Sequence, residues 1–99
     1  MKAPGSSNTN LVLTLYVAGR SPNSLRALAN LAAMARDYLP AHQLEVVDVL
    51  ATPERALADG ILATPTLIRH APLPRLRVIG DLSATGQVLL TLGIDQTVK

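Results

Sequence analysis

The chain has 99 residues, with 9 Lys and Arg against 7 Asp and Glu, so its net charge is only +2. That length fits one domain, and a 48% hydrophobic share with 16% charged residues supplies enough apolar surface to bury a core, which excludes a disordered chain. The absence of Cys excludes disulfides, zinc–thiolate sites, thiol nucleophiles and dithiol redox chemistry, and the absence of Phe and Trp argues against base-stacking platforms.

Residues 1–10 are expected to be a disordered leader, because Ala3–Asn10 (APGSSNTN) is made of turn formers. Lys2 ahead of Leu11–Ala18 has a superficial likeness to a signal peptide, but the polar run between them spoils it. No apolar run approaches membrane-spanning length, and a cytoplasmic location is expected. Leu11–Val17 (LVLTLYV) is apolar on both alternating faces, which predicts an interior strand.

Ser21 is a good N-cap and Pro22 suits the first helical position, so a helix is predicted from there to about Tyr38, ended by Pro40. Leu25, Leu28, Ala32, Ala35 and Leu39 follow the helical period, widened by Leu31, Met34 and Tyr38. Gln43–Leu50 (QLEVVDVL) predicts a second strand, parallel to the first through a right-handed crossover.

The second half carries conflicting signals. Thr52 and Pro53 open a short helix that Gly60 ends. Thr66–His70 follows Pro65 as a strand, Ala71–Pro74 turns, and Arg75–Ile79 alternates as a strand. Ser83 is placed to cap a last helix with Val88, Leu89 and Leu92 on its apolar face. Gly86 and Gly93 weaken that helix, each by about 1 kcal/mol, and Leu89–Ile94 also suits extended chain. The order β-α-β-α-β-β-α is that of thioredoxin-like α/β folds. In that order Pro65 opens the third strand, with cis and trans both open.

In such a fold the redox pair occupies the first strand-to-helix turn, here Gly19 to Ser24, where no thiol stands. Ser21 and Ser24 need a nearby base to act as nucleophiles and read as cap and helix surface. His42 and His70 have no metal-ligand spacing, and Lys occurs only at 2 and 99, which removes a phosphate-binding G-x-x-x-x-G-K loop. No catalytic, cofactor-binding or metal residue is expected. Asp48, an acid in a strand, reads as a structural hydrogen-bonding group or an Arg partner. Arg69, His70, Arg75 and Arg77 cluster around the expected hairpin, with Arg26 approaching. They read either as a solvated face or as a docking surface for an acidic protein.

Three segments carry a specific resemblance. Leu15-Tyr16-Val17-Ala18-Gly19 with Ser21 to Leu28, then Asp48-Val49-Leu50, Pro53 and Ile61-Leu62-Ala63-Thr64-Pro65-Thr66-Leu67, then Pro72-Leu73-Pro74, Arg77 and Ile79-Gly80-Asp81-Leu82-Ser83 resemble the KaiB family of cyanobacterial clock proteins. The resemblance runs from about Leu11 to Leu92 and implies a non-enzymatic timing regulator without cofactors.

KaiB-like proteins are metamorphic. One state is a homotetramer ordered β-α-β-β-α-α-β; the other is a thioredoxin-like monomer that binds a hexameric KaiC-like ATPase. That second state captures a KaiA-like protein and competes with histidine kinases carrying a similar domain. The resemblance thus implies a domain over 11–95, with an invariant βαβ half at 11–50, a fold-switching half at 51–95 and a tail at 96–99. Self-association as homotetramer or dimer is implied, with no nucleic acid and no membrane as partner. Arg26, Arg69 and Arg77 match family positions tied to partner contact; Pro65, Gly80, Asp81, Thr91 and Gly93 are expected to influence which fold forms.

Departures are present. Thr91-Leu92-Gly93 stands where clock members carry Gly-Leu-Asp, and Gly60 replaces a Lys before ILATPTL. The family's acidic tail is missing, and the arrangement suggests a divergent or non-cyanobacterial member serving a clock, a simpler timer or a stress response. A thioredoxin-like adaptor without redox activity is the alternative.

Overall fold

The structure is a computed structural model that describes residues 11–94. The expected leader at 1–10, Asp95 and the expected tail at 96–99 lie outside the described residues. Seven elements follow in the expected order: β1 (Leu11–Val17), α1 (Pro22–Asp37), β2 (His42–Asp48), α2 (Pro53–Ala58), β3 (Thr66–Ala71), β4 (Leu76–Ile79) and α3 (Thr85–Leu92). They form one four-stranded sheet in the order β2-β1-β3-β4. β1 runs parallel to β2 and antiparallel to β3, with Leu15 opposite both Val46 and Leu67. β3 and β4 pair antiparallel, Leu67 opposite Val78.

The alternation in β1 places Leu11, Leu13, Leu15 and Val17 in the main core, with Ala27, Leu31 and Met34 of α1 and Val88, Leu89 and Leu92 of α3. The opposite face buries Tyr16, Val47 and Ile68, with Val49 and Ile61 packed against them. Strand β2 is one of the two sheet edges, and its Leu44 and Val46 remain exposed.

Several expectations need correction. The buried stripe of α1 is Ser24, Ala27, Leu31 and Met34, whereas Leu25 is exposed. The difference comes from Ser24, whose hydroxyl accepts from Ala18 N–H at 3.0 Å and shares a 2.8 Å bond with Ser21 Oγ. This pins the first turn inward and rotates the stripe by one position. Ser83 does not cap α3: its N–H donates to Asp81 Oδ1 at 3.0 Å, Ala84 takes the N-cap position, and no side chain caps the helix. Nor does Gly93 sit inside that helix. It holds φ 76 at the C-cap, a left-handed conformation that glycine adopts without Cβ strain. Residues 89–92 are helical rather than extended. Strand β4 begins at Leu76, so Arg75 lies outside it, and β2 ends at Asp48.

Thr64–Pro65, Ala71–Pro72 and Leu73–Pro74 are cis. Leu82 is buried at φ 64, where an L side chain is strained by about 1–2 kcal/mol. Its side chain belongs to the main core, so burial there opposes the backbone strain.

Ser24 supplies a stability prediction. Ser24→Ala removes the acceptor of Ala18 N–H and should cost about 1–2 kcal/mol in urea unfolding. A change below about 0.5 kcal/mol would show that the bond contributes nothing.

Candidate functional site

The turn from β1 into α1 is where a thioredoxin carries its redox pair. Here Ser21 and Ser24 lie in that turn, and their hydroxyls bond to each other. Ser21 Oγ also accepts from Ser24 N–H at 3.3 Å, the N-cap bond of α1. Both hydroxyls serve local structure. Neither carries an observed hydrogen bond to a side-chain base, and the turn has no nucleophilic arrangement.

Asp48 closes the turn from the end of β2. Its Oδ1 accepts from Gly19 N–H at 3.0 Å and from Leu50 N–H at 2.9 Å, and these backbone bonds hold its pKa below the usual carboxylate value. The expectation of a structural hydrogen-bonding role fits this position, with backbone groups as its partners.

Around this end lie two adjoining hollows that share Thr64. An apolar groove of about 370 Å³ is lined by Val49, Pro53, Ala56, Leu57, Ile61, Leu62, Ala63 and Thr64. Its rim is unusually exposed for leucine: Leu57 is 81% and Leu62 96% exposed, with Leu50 nearby at 72%. The second hollow is lined by Ala18, Ser21, Pro22, Asn23, Arg26 and Thr64. Sequence reading missed the leucine rim, although Leu50, Leu57 and Leu62 stand in segments where α2 is too short to cover them.

The three candidate arginines are not brought together. Arg26 lies on α1, pairs with Asp81 Oδ2 at 3.3 Å and donates to Asn23 Oδ1. Arg77 is on the opposite sheet face, where it donates to the carbonyls of Asp59 and Gly60 at 3.0 and 3.1 Å. Arg69 is buried beside the C-terminus of α3, away from both. Neither the solvated face nor the single arginine cluster read from the sequence is formed by all of these residues.

Of the positions expected to influence the fold, Pro65 is buried at the start of β3, while Gly80 and Asp81 follow β4. Asp81 organises its loop: Oδ1 accepts from Ser83, Oδ2 takes Arg26, and the backbone carbonyl accepts from Asn30 Nδ2 at 2.8 Å. The bonds to Ser83, followed by that to Arg26, hold its pKa low. Thr91 is exposed on α3 and Gly93 caps it.

On the other face, Asp59 anchors Tyr16 and Arg75. The Tyr16 hydroxyl donates to Asp59 Oδ2, while Arg75 reaches Oδ1 at 3.2 Å. The Tyr16 bond, then the nearby Arg75 charge, hold the Asp59 carboxyl low. Burial, together with Asp59, pushes the Tyr16 phenol up. Arg55 grips Glu45 through two bonds at 2.7 and 2.9 Å, which lowers Glu45 and raises Arg55. His70 shares a 2.9 Å bond with Thr14 Oγ1, and His42 Nδ1 lies 2.9 Å from Pro40 O. Among the described residues no cluster of three or more His, Asp or Glu can hold a metal, and no helix is long and apolar enough to cross a membrane.

Fold and site together define a thioredoxin-like domain whose first strand-to-helix turn carries bonded serines in a chain without Cys. Solved structures share this fold. Mitochondrial thioredoxin 3 of Saccharomyces cerevisiae matches with a TM-score of 0.70 at 16% identity, over 89% of this chain and 82% of that one. The N-terminal domain of Synechococcus elongatus SasA matches with a TM-score of 0.63 at 24% identity, over 100% and 98%.

The sequence goes further than the fold. The family model for the KaiB domain matches residues 14–94. The circadian clock oscillator protein KaiB of Synechococcus elongatus is 46% identical over 90 residues, covering 90% of this chain and 88% of the relative. That of Thermosynechococcus vestitus is 48% identical over 84 residues, covering 84% and 78%. The chain belongs to the KaiB family, and with that membership it is a non-enzymatic regulator.

The lowered carboxylates set a pH dependence. For Glu45, Asp48, Asp59 and Asp81 the folded pKa lies below the unfolded value, so their stabilisation is complete above about pH 5 and is lost as pH falls through the folded pKa values. Urea midpoints should fall steeply below about pH 4, and Asp48→Asn should flatten that acid limb. An acid limb of unchanged slope in Asp48→Asn would contradict the role assigned to Gly19 and Leu50 N–H.

Proposed function

We propose that the chain is a KaiB-type timing regulator that docks on a KaiC-like hexameric ATPase and modulates its phosphorylation cycle. Family membership supports the class. The observation that carries docking is the exposed leucine rim around the groove at the β1–α1 end, in a thioredoxin-like fold without thiols. Large exposed apolar side chains around a hollow mark interaction surfaces. Arg26 borders the adjoining hollow, and Arg77 holds the 59–60 backbone just ahead of the groove. In this reading Arg26 and Arg77 meet a partner's carboxylates from either side of the apolar contact.

The reading extends to a switch between a homotetramer or dimer and the thioredoxin-like monomer, in which residues 51–95 change packing. Two packings a few kcal/mol apart suffice for such a switch. A KaiA-like protein or a histidine kinase is a further partner, and the cytoplasm is the proposed location. A second reading, a free-standing thioredoxin-like adaptor, is favoured by Gly93, whose left-handed C-cap suits this packing without strain. Such an adaptor stays monomeric and binds without refolding.

Mixing the protein with its cognate KaiC-like ATPase and ATP on a sizing column should give a stable complex. Leu57→Asp and Leu62→Asp should each weaken it by at least about tenfold, with the circular dichroism unchanged. No complex in any phosphorylation state of the ring would reject the reading. Undiminished binding by both variants would reject the leucine rim as the docking surface.

A further inference from the structure

Arg69 is the one buried arginine among the described residues. Strand alternation puts it on the same face as Leu67, and it is 6% exposed. None of the ion pairs among the described residues includes it. Its guanidinium instead takes two backbone carbonyls from separate parts of the second half. Nη1 donates to Leu92 O at 2.7 Å, and Nη2 to Pro74 O at 2.8 Å. Nε is buried with no hydrogen-bond partner among the described residues.

The helix it meets is poorly equipped to stand alone. α3 has eight residues, no basic side chain in its last turn and no side-chain N-cap bond. Helices this short are marginal without tertiary support. Gly93 and Ile94 return N–H groups to Leu89 and Leu90, which leaves the Leu92 carbonyl at the negative end of the helix. Arg69 brings a positive charge to that end from a different strand.

The dependence is mutual. If α3 withdraws, Arg69 loses the Leu92 carbonyl and its cover together. A cation left under apolar side chains without partners is costly, so the guanidinium must move into water. If Arg69 moves out first, Leu92 O and Pro74 O lose their donor. Gly93 sits within reach of this contact, since a Cβ built there would lie 3.6 Å from Arg69 Nη1.

We propose that Arg69 is the latch of α3: the buried guanidinium clamps the C-terminus of α3 to the β3–β4 turn, and its exposure and the docking of α3 exclude one another. Arg69 therefore acts as a positioning residue while α3 is docked. The latch does not depend on binding to an ATPase ring.

Hydrogen exchange on the intact, nitrogen-labelled protein reads the latch directly. The Arg69 Nε–H, measured against the exposed Nε–H of Arg36, should have a protection factor within about threefold of those of the α3 amides, because the same opening exposes both. Exchange as fast as that of Nε–H in exposed Arg26 and Arg36 would overturn the proposal. In Arg69→Met, α3 amides should speed up at least about tenfold more than α1 amides. Equal acceleration of both helices, or none, would overturn it. Should Arg69→Met fail to fold, Arg69→Lys replaces it: one ammonium cannot span both carbonyls, and the α3-to-α1 ratio should rise at least about threefold. An unchanged ratio in Arg69→Lys would then overturn the proposal. Failure of ring binding on a sizing column leaves these exchange ratios untouched, so the two readings fail separately.

Discussion

Strand β1 is held on both edges and both faces. It pairs with β2 on one side and β3 on the other, while α1 and α3 cover one face and the Tyr16 cluster fills the other. A strand so enclosed has to be apolar on alternating and intervening positions alike, and LVLTLYV meets that demand with Thr14 as its one polar residue. Thr14 in turn bonds to His70. Every other element is positioned by this strand: β2 and α1 through the parallel crossover, β3 and β4 through the antiparallel ladder, and α3 through the core beneath it.

That arrangement leaves the end of β1 chemically quiet. The backbone leaving Val17 is fixed by Ser24 and Asp48, and their polar atoms are occupied by main-chain N–H groups. The groove and its leucine rim open beside this turn. The neighbouring charges are internally matched: Arg26 with Asp81, Arg75 with Asp59 and Arg55 with Glu45. These pairs are exposed enough to contribute little to stability.

The order of elements was legible because Pro22, Pro40, Pro53, Gly60 and Pro65 punctuate apolar runs of distinct period. The phase of α1 was not. Ala and Leu occupy so many of its positions that two adjacent stripes look alike, and a buried Ser24 has no signature in hydropathy. Arg69 was placed on the surface because it is charged. The alternation Leu67, Ile68, Arg69 did point it inward beside Leu67, and that signal outranked charge. The leucine rim escaped because sequence alone does not show how little of the sheet a six-residue α2 covers. Gly93 looked like a weak point within a helix, and its left-handed φ makes it the stop instead.

The second half is held by the antiparallel ladder to β1, by apolar contacts in the main core, and by a buried guanidinium that joins α3 to the β3–β4 turn. The absence of Cys now identifies a thioredoxin-like fold that lacks thiol chemistry. The decisive measurement is nuclear Overhauser spectroscopy of the monomeric fraction in solution across residues 66–79. The account predicts antiparallel cross-strand contacts with Leu15 opposite Leu67 and Leu67 opposite Val78. A monomer in which residues 66–71 are helical, or do not pair with β1, would contradict it.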